Sequence, residues 1–120
     1  IIMANVYKNI QAVINQAATD VDMYTSPTAT TSIVKSVKLY NTHSGNLVVD
    51  ITVYDASSTT DFEFDTVTVN ASNSVDLLTF NNLLMLEAGD ILKMQTPTIN
   101  VVKMTASVLQ ITRPPEVTTT

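Results

Sequence analysis

The chain has 120 residues, a formal net charge of −5, 45% hydrophobic residues and no cysteine. Such a length supports one domain with a single core, and the acidic balance argues against binding nucleic acid through its phosphates. The absent cysteines remove disulfides, thiolate metal sites and cysteine nucleophiles, and no apolar run approaches the ~18–20 residues of a membrane span. No basic segment precedes an apolar one as in a secretory signal, and Ile1-Ile2 before Met3 reads as an extension past a natural start.

Met3–Ala18 fits two periods. Val6, Ile10, Val13, Ile14 and Ala17 form one side of an amphipathic helix with Asn5 as its cap, whereas Ile10, Ala12 and Ile14 alternate as in a strand. Periodicity alone slightly favours the helix. Val21–Thr25 reads as a short strand that ends at Ser26-Pro27, because the residue before proline is pushed out of the helical region. Thr28–Thr31 is a polar, β-branched connection. Ser32–Asn41 is a strand on which Ile33, Val37 and Leu39 share a face, with Lys35 interrupting it and snorkelling at an edge. Asn41–Asn46 is a turn in which Gly45 is available for positive φ.

Leu47–Asn70 organises the rest. Val49, Ile51 and Val53 alternate with Asp50, Thr52 and Tyr54, and the break Asp55–Thr60 is rich in turn-forming residues. Phe62 and Phe64 then occupy even positions, but Val67 and Val69 occupy odd ones. That switch of parity predicts a β-bulge near Asp65 in the second arm of a long hairpin. Ala71–Ser74 is a further turn, Val75–Phe80 a strand, and Asn82–Leu86 either a short strand or a helical turn. Glu87–Asp90 is a tight turn pivoting on Gly89, followed by strand Ile91–Gln95, which Pro97 ends. Val101–Ile111 is the last strand, with Val102, Met104, Ala106 and Val108 on one face. This describes an all-β chain of about eight strands, a single antiparallel β-sandwich of jelly-roll or immunoglobulin-like type. The sandwich domain spans 1–112, and 113–120 form an extended C-terminal tail whose two prolines cannot donate to a ladder.

Charged residues make up only 14%, against ~25% in typical domains. Threonine, serine and asparagine carry the polar positions instead. A surface polar yet poor in charge suits a protein covered by neighbours, since desolvating charge is costly; a threonine-rich β surface is the plainer explanation.

The opening Met3–Asn9, the stretch Tyr24-Thr-Ser-Pro27 leading into Ser32–Lys38, and Leu86–Lys93 followed by a last strand ending Ser107–Ile111 resemble small virion structural proteins of tailed bacteriophages, particularly marine and cyanobacterial ones. The resemblance covers nearly the whole chain through short motifs, and it departs in having polar residues where the family's turns carry glycine. It implies an all-β sandwich present in many copies, and it tips the N-terminal segment towards strand. It further implies a non-enzymatic virion component, most simply a capsid decoration (cement) protein that binds the shell and its own copies. The alternative it leaves is a tail, neck or fibre component with a receptor- or carbohydrate-binding role. Its partners would be the major capsid protein or tail proteins and other copies of itself, a trimer being favoured, with neither nucleic acid nor membrane involved. The tails before Val6 and after Arg113 would be arms that reach a neighbour by adding to an exposed sheet edge, and Tyr7, Lys8, Arg113, Pro114 and Pro115 are the residues expected to contact it.

No catalytic, cofactor or metal residues are expected. His43, the single histidine, sits in a turn beside Ser44 without the orienting acid and oxyanion donors a catalytic triad needs, and one histidine cannot make a zinc site. Asp50, Asp55, Asp61, Glu63 and Asp65 cluster on the hairpin, and Asp50 and Asp65 could be drawn together across its arms. No calcium-loop pattern accompanies them, and alternation already places Glu63 and Asp65 on a solvent face. Lys35 and Lys38 differ in parity and make no basic stripe. Without tryptophan there is no platform for a sugar.

Overall fold

A computed structural model describes residues 4–78 and 83–112. Among these residues there are nine strands and no helix: β1 (Ala4–Val13), β2 (Val21–Thr25), β3 (Thr30–Asn41), β4 (Leu47–Asp55), β5 (Thr60–Val69), β6 (Ser74–Leu78), β7 (Leu84–Leu86), β8 (Ile91–Gln95) and β9 (Val102–Thr112). The first half of the chain pairs antiparallel with the second in reverse order. β4 pairs with β5, β3 with β6 and β7, β2 with β8, and β1 with β9. The chain is therefore one long ribbon whose tip is the turn at 56–59. Rolling the ribbon sets β9 beside β3 and β8 beside β4, which divides it into two packed sheets, β1-β9-β3-β6 with β7 also on β3, and β2-β8-β4-β5. That is a jelly roll, with β6 and β7 as two pieces of one edge. Of the two sandwich types expected, the immunoglobulin-like one is set aside.

The alternating residues explain why the ribbon rolls. Leu47, Val49 and Ile51 on β4 and Val102, Met104, Ala106 and Val108 on β9 are all buried. They meet Val37 and Leu39 of β3, Leu92 and Met94 of β8, and Ile14 just past β1 in one core between the sheets. The predicted bulge is present: Ile51 lies opposite Asp65 and Thr52 opposite Glu63, so Phe64 is the extra residue. Past it Phe62 comes opposite Val53, on the inward side of β4.

One open alternative closes and two readings change. Met3–Ala18 takes the strand alternative over its described part, because Ala4–Val13 makes a continuous ladder with β9 and turns Ile10 and Ala12 inward. Ile33 does not share a face with Val37 and Leu39. A bulge between Val34 and Ser36 makes Lys35 the extra residue, so Ser32 and Val34 are buried before it and Val37 and Leu39 after it, while Ile33 turns outward. Gly45 does not take positive φ; that conformation falls on Gly89 (87°) and on Ala18, Ala29, Thr59, Ser72 and Asn100. Thr79, Phe80, Asn81 and Asn82, at the end of one expected strand and the start of the next, lie outside the described residues.

Candidate interaction surfaces

His43 is part of a turn scaffold. The buried Asn41 donates from Nδ2 to the carbonyls of Gly45 (2.9 Å) and Val69 (3.0 Å), and its Oδ1 accepts the His43 N–H at 2.9 Å. The Gly45 N–H donates to His43 Nδ1 at 3.0 Å. The imidazole closes its own turn, and the amide of Asn41 does the work assigned to glycine.

The hairpin acids lie on the outer side of the β2-β8-β4-β5 sheet. The bulge at Phe64 opens a shallow groove of about 620 Å³ whose lining includes Asp20, Asp50, Glu63, Phe64, Asp65 and Gln95. Asp50 and Asp65 do come to one place, and each is occupied by Thr66: its hydroxyl donates to Asp50 Oδ1 at 3.1 Å and its N–H to Asp65 Oδ1 at 2.8 Å. Among the described residues no group of three or more His, Cys, Asp or Glu is placed to hold a metal ion. Asp55, at the hairpin tip, caps its own turn. The Ser57 hydroxyl donates to it at 2.7 Å and the Ser57 N–H at 3.0 Å, with the Ser58 hydroxyl at 3.1 Å. These donors, the Ser57 hydroxyl first, hold its carboxyl below the usual carboxylate range. Lys93 stands among the acids, 3.6 Å from Asp61 Oδ1 and 5.1 Å above the Tyr54 ring.

The opposite sheet has a different outer surface. Register carries one apolar row across four strands, from Tyr7 of β1 to Leu109 of β9, Ile33 of β3 and Met85 of β7. Tyr7 is 71% exposed and Met85 61%. Lys35 extends from its bulge to place Nζ 4.9 Å from the centre of the Tyr7 ring, a cation–π contact that fixes the ring against the sheet. Of the residues expected to contact a neighbour, Tyr7 and Lys8 are both exposed and line a small depression with Asn9, Ser107 and Val108. Arg113, Pro114 and Pro115 lie outside the described residues.

One group had no sequence signal. Gln110 Nε2 donates to the Tyr24 hydroxyl at 2.8 Å, which leaves that hydroxyl to donate to Ser32 Oγ at 2.7 Å. Ser32 then donates to Ser26 Oγ at 2.9 Å, and Ser26 to the Thr30 carbonyl at 3.0 Å. All four side chains are buried, and together they tie β2, β3 and β9 across the sandwich. Such a directed chain polarises each member in turn. Each of the three hydroxyls both accepts and donates, so the chain acts as a structural brace.

Fold and surfaces together define a jelly-roll domain with one acidic outer face, one partly apolar outer face and a tip closed by side-chain capping. No family model and no curated protein matches the sequence. Among solved structures, a pilus subunit of Bacillus endospore appendages, described as disulfide-linked, is similar with TM-score 0.55 and 13% identity, over 92% of this chain and 88% of that one. A chain of the virus-like particle of the extra small virus of the giant freshwater prawn Macrobrachium rosenbergii gives TM-score 0.57 and 14% identity, over 96% and 82%. At such identity the likeness is one of fold.

Proposed function

We propose that this chain is a non-enzymatic structural subunit of a bacteriophage virion, a capsid decoration protein that attaches to the shell and to its own copies. The observation that carries the reading is the outer surface of the β1-β9-β3 sheet, where Tyr7, Leu109, Ile33 and Met85 make a continuous apolar row across four strands. Exposed apolar patches of this kind mark contact surfaces. Support also comes from the fold, shared with a pilus subunit and with a chain of a virus-like particle, both of which build repeating assemblies. A rigid sandwich would add interface area there at little cost in backbone entropy. The resemblance to tailed-phage virion proteins supports a phage as the particle. Gold-labelled antibody against the chain, viewed by electron microscopy on intact phage particles, is expected to decorate the heads. Absence of label on both intact and disrupted particles would overturn the assignment.

A second reading, a tail, neck or fibre component that binds a receptor or carbohydrate, is supported by the groove beside Phe64, which combines carboxylates, an amide and a half-exposed ring. Label confined to the tail, with glycan-array binding lost on changing Asp50→Ala, would favour it.

A further inference from the structure

The two sheets leave four strand edges: β1 and the β6–β7 pair in one, β2 and β5 in the other. An open edge is a template for another strand, and proteins blunt such edges with bulges, breaks and charge. β5 is blunted by its bulge at Phe64 and by Asp61, Glu63 and Asp65. β2 has only five residues and a register shift at Met23. The β6–β7 edge is divided, with Leu77 as an extra residue in β6. β1 has none of these devices. It runs for ten residues in unbroken register from Ala4↔Thr112 to Val13↔Lys103, without proline and with Lys8 as its single charge.

The direction of its free groups follows from one bond. The Ile14 N–H donates to the Val102 carbonyl at 3.0 Å, in line with the β1–β9 register. Alternation then turns the N–H and C=O of even-numbered residues towards β9, and those of Asn5, Tyr7, Asn9, Gln11 and Val13 towards the open edge. Among the described residues, none of these five makes a backbone hydrogen bond outside the ladder.

We propose that β1 pairs with β1 of a second copy, antiparallel about a two-fold axis through Asn9. The axis stands perpendicular to the sheet, so outer face continues into outer face and facing residues must share parity. Centring on Lys8 would set two ammonium groups directly opposite, which like charges disfavour. Centring on Tyr7 leaves a shorter described overlap. The Asn9 register places Tyr7 opposite Gln11, Lys8 opposite Ile10 and Asn5 opposite Val13, and it satisfies all five outward residues with about ten backbone hydrogen bonds. A three-fold ring would instead pair β1 with a different edge of the next copy, and each of those is blunted. The choice of a second copy as occupant rests on the self-assembling role proposed above, yet the two fail separately: particle labelling tests the role, and solution association tests the edge.

The test is sedimentation velocity on the full 120-residue chain over a range of concentrations, with wild type expected to form a dimer. In Asn9→Pro the lost N–H points away from β9, so proline is tolerated there as at other free edges. The ring removes the central donor and obstructs the partner, and dimer affinity is expected to fall at least about tenfold, with the melting temperature unchanged at concentrations where both chains are monomeric. Asn9→Cys covers the case in which that variant unfolds. The chain has no other cysteine, and two thiols across the axis would have Cα atoms ~5.5 Å apart, within disulfide reach. Oxidation should then give a covalent dimer. Tyr7→Cys alone should not, whereas Tyr7→Cys mixed with Gln11→Cys should. A monomeric wild type, an association undiminished by Asn9→Pro, or cross-linking indifferent to position would each overturn the pairing.

Discussion

Replacing Tyr24 by phenylalanine removes one oxygen from the middle of the buried chain that runs from Gln110 to Thr30. The ring stays where it is, packed at 8% exposure, so no cavity term arises. The Gln110 amide loses its acceptor at 2.8 Å and Ser32 loses its donor at 2.7 Å. A buried polar group left without a partner costs ~1–3 kcal/mol, and Ser32 can re-aim, so about 2 kcal/mol is the expected net loss. Unfolding entropy of ~2.1 cal/mol/K per residue gives a 120-residue chain about 0.25 kcal/mol/K, which converts that loss to a drop in Tm of about 8 °C. Thermal melting followed by circular dichroism measures it, with Tyr54→Phe as the control. Tyr54 is half-buried and its hydroxyl makes no hydrogen bond to the described residues, so that change should stay within about 2 °C. A double-mutant cycle of Tyr24→Phe with Ser32→Ala should show coupling, because the second substitution removes a group the first has already orphaned. If Tyr24→Phe melts within about 2 °C of wild type, the directed chain contributes nothing and the reasoning fails.

The Asp90 carboxylate accepts N–H groups from Ala56 at 3.0 Å and Glu87 at 2.9 Å, joining the β7–β8 turn to the hairpin tip. Asp90→Ala should therefore cost ~2–3 kcal/mol in urea unfolding and Asp90→Asn less, since the amide keeps one acceptor. Thr59 is β-branched yet holds φ at 50°, so Thr59→Gly should raise Tm by relieving strain of ~1 kcal/mol; a fall would place the strain elsewhere. The lowered Asp55 carboxyl binds its proton more weakly folded than unfolded, so its share of stability is present above the unfolded pKa and is lost as pH falls through the folded one. Carboxyl NMR titration should find Asp55 below the ordinary aspartate range, and Ser57→Ala should move it back up.

Much of the roll was legible because alternation with period two survives in the hairpin, in Ile91–Gln95 and in Val102–Val108. The bulge at Phe64 could be read because Phe62 and Val67 differ in parity and both are apolar. The bulge at Lys35 was hidden for the opposite reason. Ile33 and Val34 are both apolar, so either could have been the inward residue, and Ile33 happened to match the parity of Val37 and Leu39. The N-terminal strand was masked by Val6, Val13 and Ala17, which fill a helical face by count although β9 takes every backbone bond on one side of the segment. Gly45 looked like a turn pivot because glycine usually is one, and Asn41 supplied that role through its side chain. The buried brace was illegible in principle. Tyr24, Ser26, Ser32 and Gln110 belong to residue types common on surfaces, and the order of strands alone brings position 24 to position 110.

The same strand order sets which surfaces a copy can offer. Rolling a ribbon hides the strands in its middle and leaves its margins as edges, so a jelly roll, unlike a closed barrel, must manage four of them. Here β5, β2 and the β6–β7 pair each carry an irregularity, and those irregularities also shape features used elsewhere: the Phe64 bulge opens the acidic groove. β1 is regular because β9 beside it is regular from Val102 to Thr112. The unbroken β1–β9 ladder sets Tyr7 beside Leu109, and the Lys35 bulge in β3 turns Ile33 outward to continue the row. The open edge and the Tyr7 end of the apolar row therefore share one cause. A bulge engineered into the β1–β9 ladder should detach Tyr7 from the row and disable the edge together, leaving Leu109, Ile33 and Met85 aligned.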